Sequence, residues 1–233
     1  MASFQPGALV TRVRISAAPY PVSMMMNVIG PPLLGERMRY PLVASIVLLL
    51  SFFVTLPLLV LLFMGESSRI LEYVIVLTNI FEMPFLLLTL YGFWLLGRYL
   101  KLRLLEYPVY VMAFIYILFI VFDSLATWVG WDSGQLYELI SLGFVLLDGL
   151  VTVVFSIGLI QLRGELGFYA SALGVLFFLQ GILSALFALV SSISVIGFLF
   201  YLGSFLLFMV VYPLMAAFFY EAGKRYRVVG GVV

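Results

Sequence analysis

Apolar residues run through this chain in long blocks, interrupted by short polar breaks. A helix needs about 20 predominantly apolar residues to cross a bilayer. Six stretches qualify: residues 41–64, 70–97, 108–130, 136–162, 166–190 and 194–220. The breaks read "GESSR", "GRYLKLRLLEYP", "WDSGQ", "RGELG" and "SSIS". They carry turn or charge signals and are too short to hold a soluble domain. The pattern predicts an all-α fold, a polytopic membrane helix bundle with six transmembrane helices over residues 40–220.

The flanks differ from the blocks. "VTRVRIS" alternates apolar and basic residues, as a short strand or an extended arm does, and "MMMNVIGPPLL" is too short to span and is broken by a proline pair. Residues 1–39 are expected to form a cytoplasmic or interfacial segment that feeds the first helix, and residues 221–233 a cytoplasmic tail. No charged-then-apolar stretch with a cleavage site opens the chain, so a secretory signal is not expected.

Polar residues inside the blocks fall in lines. On the second span Glu72, Asn79, Glu82 and Thr89 share one helical stripe, and Glu138, Ser141, Asp148, Thr152 and Ser156 do so on the fourth. Tyr116, Asp123 and Thr127 line up on the third. Polar lines in apolar helices face the bundle interior or water. The fifth span carries Gly167, Ser171, Gly174, Gly181, Ala185 and Ala188 on another stripe, broken only by Phe178. Small residues so spaced let membrane helices approach closely.

Composition sharpens this picture. The 233 residues are 65% hydrophobic and 10% charged, against roughly half and a quarter in soluble domains. Cysteine and histidine are both absent. That excludes disulfides and thiol chemistry and removes the commonest haem and zinc ligand. No metal and no cofactor is expected. Ionisable chemistry inside the bilayer falls to carboxylates, tyrosines and a few basic groups.

Charge gives the orientation. Of the twelve basic residues, only Arg69 lies on the side opposite the rest. Arg98, Lys101, Arg103, Arg163 and the Lys224, Arg225, Arg227 group share a side with the N-terminal arginines. The positive-inside rule then puts both termini in the cytoplasm, as an even number of spans requires, and suggests a multi-pass protein of the cell (plasma) membrane. Trp128 and Trp131 would anchor the outer boundary and Trp94 the inner one.

Three acids lie deep. At about 1.5 Å of rise per residue, Glu82 stands roughly 24 Å from Arg98, Asp148 roughly 22 Å from Arg163 and Asp123 roughly 12 Å from Trp131. A midplane acid costs roughly 3 kcal/mol on insertion scales. The twelve Leu, Ile, Val and Phe residues between 74 and 93 return roughly 4–7 kcal/mol, so the helix can still insert. Pro84 frees a backbone carbonyl near Ile80, beside Glu82. No Arg or Lys lies in the body of any span. Each acid must be neutral and hydrogen-bonded, hold a cation, or meet a cation from another subunit.

These residues point to a small membrane transporter or ion- or proton-conducting protein. Glu82, Asp123 and Asp148 would converge as the ion- or proton-binding site, with Asn79 and Thr127 as neutral ligands. Glu72, Glu138, Ser141 and Thr152 would form a secondary polar stripe. The alternative is a non-catalytic membrane subunit of a larger respiratory or secretion complex, whose acids meet other membrane subunits or a second copy in a homo-oligomer. A third reading is a membrane enzyme or the substrate-capturing component of an importer. No catalytic motif is complete, which favours a non-enzymatic role. There is no phosphate-binding glycine loop, and "LLDGL" lacks the further aspartates of a metal-dependent phosphotransferase. The basic rim is explained by the lipid bilayer, so no nucleic-acid partner is expected.

Overall fold

The computed structural model describes residues 31–63, 69–131, 134–190 and 194–229. Seven helices make up these residues: α1 (Pro31–Arg37), α2 (Arg39–Phe63), α3 (Arg69–Tyr99), α4 (Arg103–Val129), α5 (Gln135–Gln161), α6 (Arg163–Val190) and α7 (Ser194–Val229). The strand or arm expected within residues 1–30 lies outside the described residues. Six helices are long and apolar enough to cross a membrane, in agreement with the six apolar blocks. The protein is an all-helical, multi-pass membrane bundle.

Helix ends depart from the breaks in the apolar pattern. Most of "GRYLKLRLLEYP" is helical, because α3 runs to Tyr99 and α4 resumes at Arg103. The turn is made by Lys101 at φ 56°. The Leu102 N–H donates to the Gly97 carbonyl at 2.8 Å and the Lys101 N–H to the Arg98 carbonyl at 3.3 Å. That pair of bonds is the Schellman arrangement, which satisfies carbonyls a helix end leaves bare. At the far end of α4 the same device uses Gly130 at φ 72°. In "RGELG" one helical turn precedes Gly167, whose φ of 63° and ψ of −136° break α6. Residues 221–229, expected as the start of a tail, continue α7.

The helices form a ring. Each of α2 to α7 packs on its neighbours in sequence, and α7 returns to α2; α1 lies mainly on α7. Pro31 and Val229 are thus at one end of the bundle, with the α3–α4 and α5–α6 turns and their basic residues. This half, the basic end, holds the dense core: Phe93, Phe155, Phe218 and Phe219 are fully buried. Phe93 centres the cluster, with ring centroids 5.1 Å from Phe155 and 4.8 Å from Phe219. The outward faces are apolar: Leu77 on α3, Phe114 on α4 and Leu139 on α5 are all more than half exposed. Such patches would aggregate in water and suit lipid.

Candidate functional site

Glu82 and Asp148 share a level. Both lie thirteen residues from the ends of α3 and α5 opposite the basic end, about 20 Å along the axis. Asp123 is six residues from the corresponding end of α4, about 9 Å, so roughly two turns further from the basic end. The carboxylates take their partners from different helices.

Glu82 is bound to α2. The Ser51 hydroxyl donates to Glu82 Oε1, and Thr55 Oγ1 lies 3.1 Å from the same oxygen. Ser51 and Thr55 are four residues apart and therefore share a helix face. Asn79 stands half-buried one turn before Glu82. Pro84 lies within α3 on the other side.

Asp123 is bound within the α4–α5 hairpin. The Tyr137 hydroxyl donates to Asp123 Oδ1 at 2.5 Å, and the Tyr137 ring stacks on Phe122 with centroids 5.5 Å apart. Thr127 is half-buried one turn further along α4. Glu82 and Asp123, expected to converge with Asp148 on one site, thus each take hydroxyl partners of their own. Among the described residues no group of three or more His, Cys, Asp or Glu side chains is placed to hold a metal ion.

Asp148 differs from both. Its Oδ1 is buried and has no hydrogen-bond partner. It lies on the wall of a cavity of about 240 Å³ between α4, α5, α6 and α7, where Tyr116, Gln180 and Ser184 supply the other polar groups. The position of Asp148 follows from its neighbour. A Cβ at Gly149 would stand 2.7 Å from the Gly181 carbonyl oxygen, and one at Gly181 2.6 Å from that of Gly149. Two glycines thus bring the α5 and α6 backbones together beside Asp148 and set it in register with Gln180 and Ser184.

Two phenols are near the carboxylates that share a level. The Tyr116 hydroxyl hydrogen-bonds to Asp148, and Tyr212 of α7 is within electrostatic range of both Tyr116 and Glu82. Tyr116 and Tyr212 also line a second cavity of about 220 Å³ at the bundle centre, which receives residues from every helix of the ring. Tyr116 and Phe208 border both cavities. Sequence reasoning missed Tyr212, which sits on α7 in an apolar stretch, residues 205–219, with no acid on that stretch to mark it. It also left Ser51, Thr55 and Tyr137 without a role.

The secondary stripe divides. Thr152 is buried and Ser141 half-buried, with a Ser141 hydroxyl that lacks a partner. Glu138 is exposed in the first turn of α5. Glu72 belongs to α3, and its side chain lies outside the described residues. Compared with protein-family models, curated proteins and solved structures, the chain gives no match.

Proposed function

We propose that the protein is a small secondary transporter or proton-conducting protein in which Asp148 is the binding group. The observation that carries this reading is the bare, buried Asp148 Oδ1 on the wall of a cavity. A carboxylate held away from water must be neutralised by a proton or a cation, and ionisable groups at membrane depth default to functional roles. Glu82 and Asp123 each have an oxygen held by hydroxyls; Asp148 keeps a buried oxygen open for something that comes and goes.

The Tyr116 and Tyr212 phenols supply a route for protons between Asp148 and Glu82. A proton arriving at Asp148 would release its cation, and a departing proton would restore the charge. The dense aromatic core at the basic end closes one side of this layer, so the cavity at Asp148 belongs to an outward-loading state. The basic end faces the cytoplasm of the plasma membrane on the positive-inside argument.

The test is flux in liposomes. Purified protein is expected to carry a cation- or proton-dependent signal that Asp148→Asn abolishes. Glu106→Gln, a carboxylate at the basic end of α4, is expected to leave it within two-fold. Equal flux in the Asp148→Asn variant would overturn the reading. A wild-type protein that carries no flux alone, yet co-purifies with other membrane chains, would favour the complex-subunit alternative.

A further inference from the structure

We infer that the ligand taken at Asp148 is a monovalent organic cation with apolar or aromatic substituents, rather than a metal ion; this rests on the transport reading above and names its substrate class. Three features of the cavity lead there.

The first is the donor set. Metal ions that bind oxygen demand about six ligands at fixed distances. Among the described residues the cavity offers one carboxylate, with Tyr116, Gln180 and Ser184 as the other polar side chains. The single carboxylate matches a single positive charge and leaves a divalent ion half neutralised.

The second is the lining. Around Asp148 stand the rings of Phe119, Phe144, Phe187 and Phe208. Phe119 and Phe144 are locked edge-on, their centroids 5.7 Å apart. Ring faces attract cations through their quadrupole, more strongly where water is excluded. They do so best for cations with a thin hydration shell, which quaternary and aryl-substituted cations have and sodium or magnesium lack. A carboxylate among phenyl rings is the arrangement that recognises charge and apolar bulk together.

The third is size. A volume of about 240 Å³ exceeds what a bare ion fills, and the neighbouring cavity of about 220 Å³ lies just past Tyr116 and Phe208. A ligand with several apolar arms could occupy one cavity and place an arm against the other.

Tetraphenylphosphonium is the probe: permanently charged, aryl-substituted and unable to gain or lose a proton. Equilibrium dialysis of the radiolabelled cation against the full chain in detergent should show saturable binding of one per chain. Asp148→Asn should weaken it at least ten-fold. Phe144→Leu, which keeps an apolar side chain but removes the ring face, should weaken it three-fold or more and stands as the second variant if Asp148→Asn fails to fold. Neutral triphenylphosphine oxide should bind at least ten-fold more weakly, and millimolar sodium, potassium or magnesium should not displace the probe. Equal binding by the Asp148→Asn or Phe144→Leu variant, or displacement by a metal ion, would overturn the substrate class. Loss of sodium or proton flux in Asp148→Asn liposomes, with no phosphonium binding to the wild type, would sink the substrate class while leaving the transport reading in place. Phosphonium binding that depends on Asp148 without any flux would uphold the ligand class and sink transport.

Discussion

The backbones of Gly149 and Gly181 meet so closely that a methyl group on either would fall within 2.7 Å of the other's carbonyl oxygen. The contact joins α5 to α6 one residue from Asp148, so the packing of the bundle and the placement of its bare carboxylate are one feature. Gly149→Ala or Gly181→Ala should therefore destabilise the protein by about 1–3 kcal/mol, the usual range for overpacking. The melting temperature in detergent should fall, and phosphonium binding should weaken with it. A variant with wild-type stability and binding would show that the helices do not cross there.

Tyr137 and Asp123 form a clip near the turn of the α4–α5 hairpin, at the end opposite the basic one. Tyr137→Phe keeps the stack on Phe122 and removes the donor, leaving Asp123 short of a partner. Hydrogen bonds to charged groups are worth about 1.5–3 kcal/mol, so a loss of that order is expected in thermal or denaturant unfolding. Ligand binding at Asp148 should change less than two-fold. A strong binding defect would tie Asp123 back into the central site.

The phenols divide relay from recognition. Tyr212→Phe removes a hydroxyl within electrostatic range of both Glu82 and Tyr116 while keeping the ring. Proton flux should fall at least ten-fold, and phosphonium binding by a much smaller factor. Parallel losses would mean that Tyr212 shapes the cavity and carries no proton.

Lys101 occupies a left-handed backbone position, φ 56°, in the tight turn between α3 and α4. That conformation costs a residue with a Cβ about 1–2 kcal/mol, and glycine escapes the penalty. Lys101→Gly should raise the melting temperature. Gly130→Ala, at φ 72° in the corresponding turn beyond α4, should lower it.

The apolar blocks made the six spans legible, because insertion into lipid depends on composition summed over about 20 residues. The helix ends were less so: Schellman turns close in three residues around Lys101, and a run such as "LKLRLLEYP" reads as a loop when it is mostly helix. On the small-residue stripe of the fifth block, Gly174 and Gly181 are buried against α5, whereas Gly167 is exposed at the break in α6. The glycines on α5, Gly149 against α6 and Gly158 against the α4 backbone at Leu104, gave no signal of their own, since a close approach needs both helices to be known.

The site was legible as a set of deep carboxylates and not as an arrangement. Helical rise placed Glu82 and Asp148 at one level, yet spacing along single helices cannot say which neighbour faces which. Tyr137 claims Asp123 because the hairpin folds back on itself, and Ser51 and Thr55 claim Glu82 across the α2–α3 contact. Tyr212 reaches the centre only because α7 returns to close the ring against α2. Each of these pairings belongs to the packing order of the helices.

The central claim is that Asp148, alone among the deep carboxylates of the described residues, keeps a buried oxygen without a hydrogen-bond partner on a cavity wall. Dicyclohexylcarbodiimide, an apolar reagent that reacts with protonated carboxyl groups, tests it directly when followed by peptide mapping in a mass spectrometer. The adduct should map to Asp148, and saturating tetraphenylphosphonium should slow its formation several-fold. Labelling confined to Glu82 or Asp123, or labelling of Asp148 that the phosphonium ion does not slow, would contradict the account.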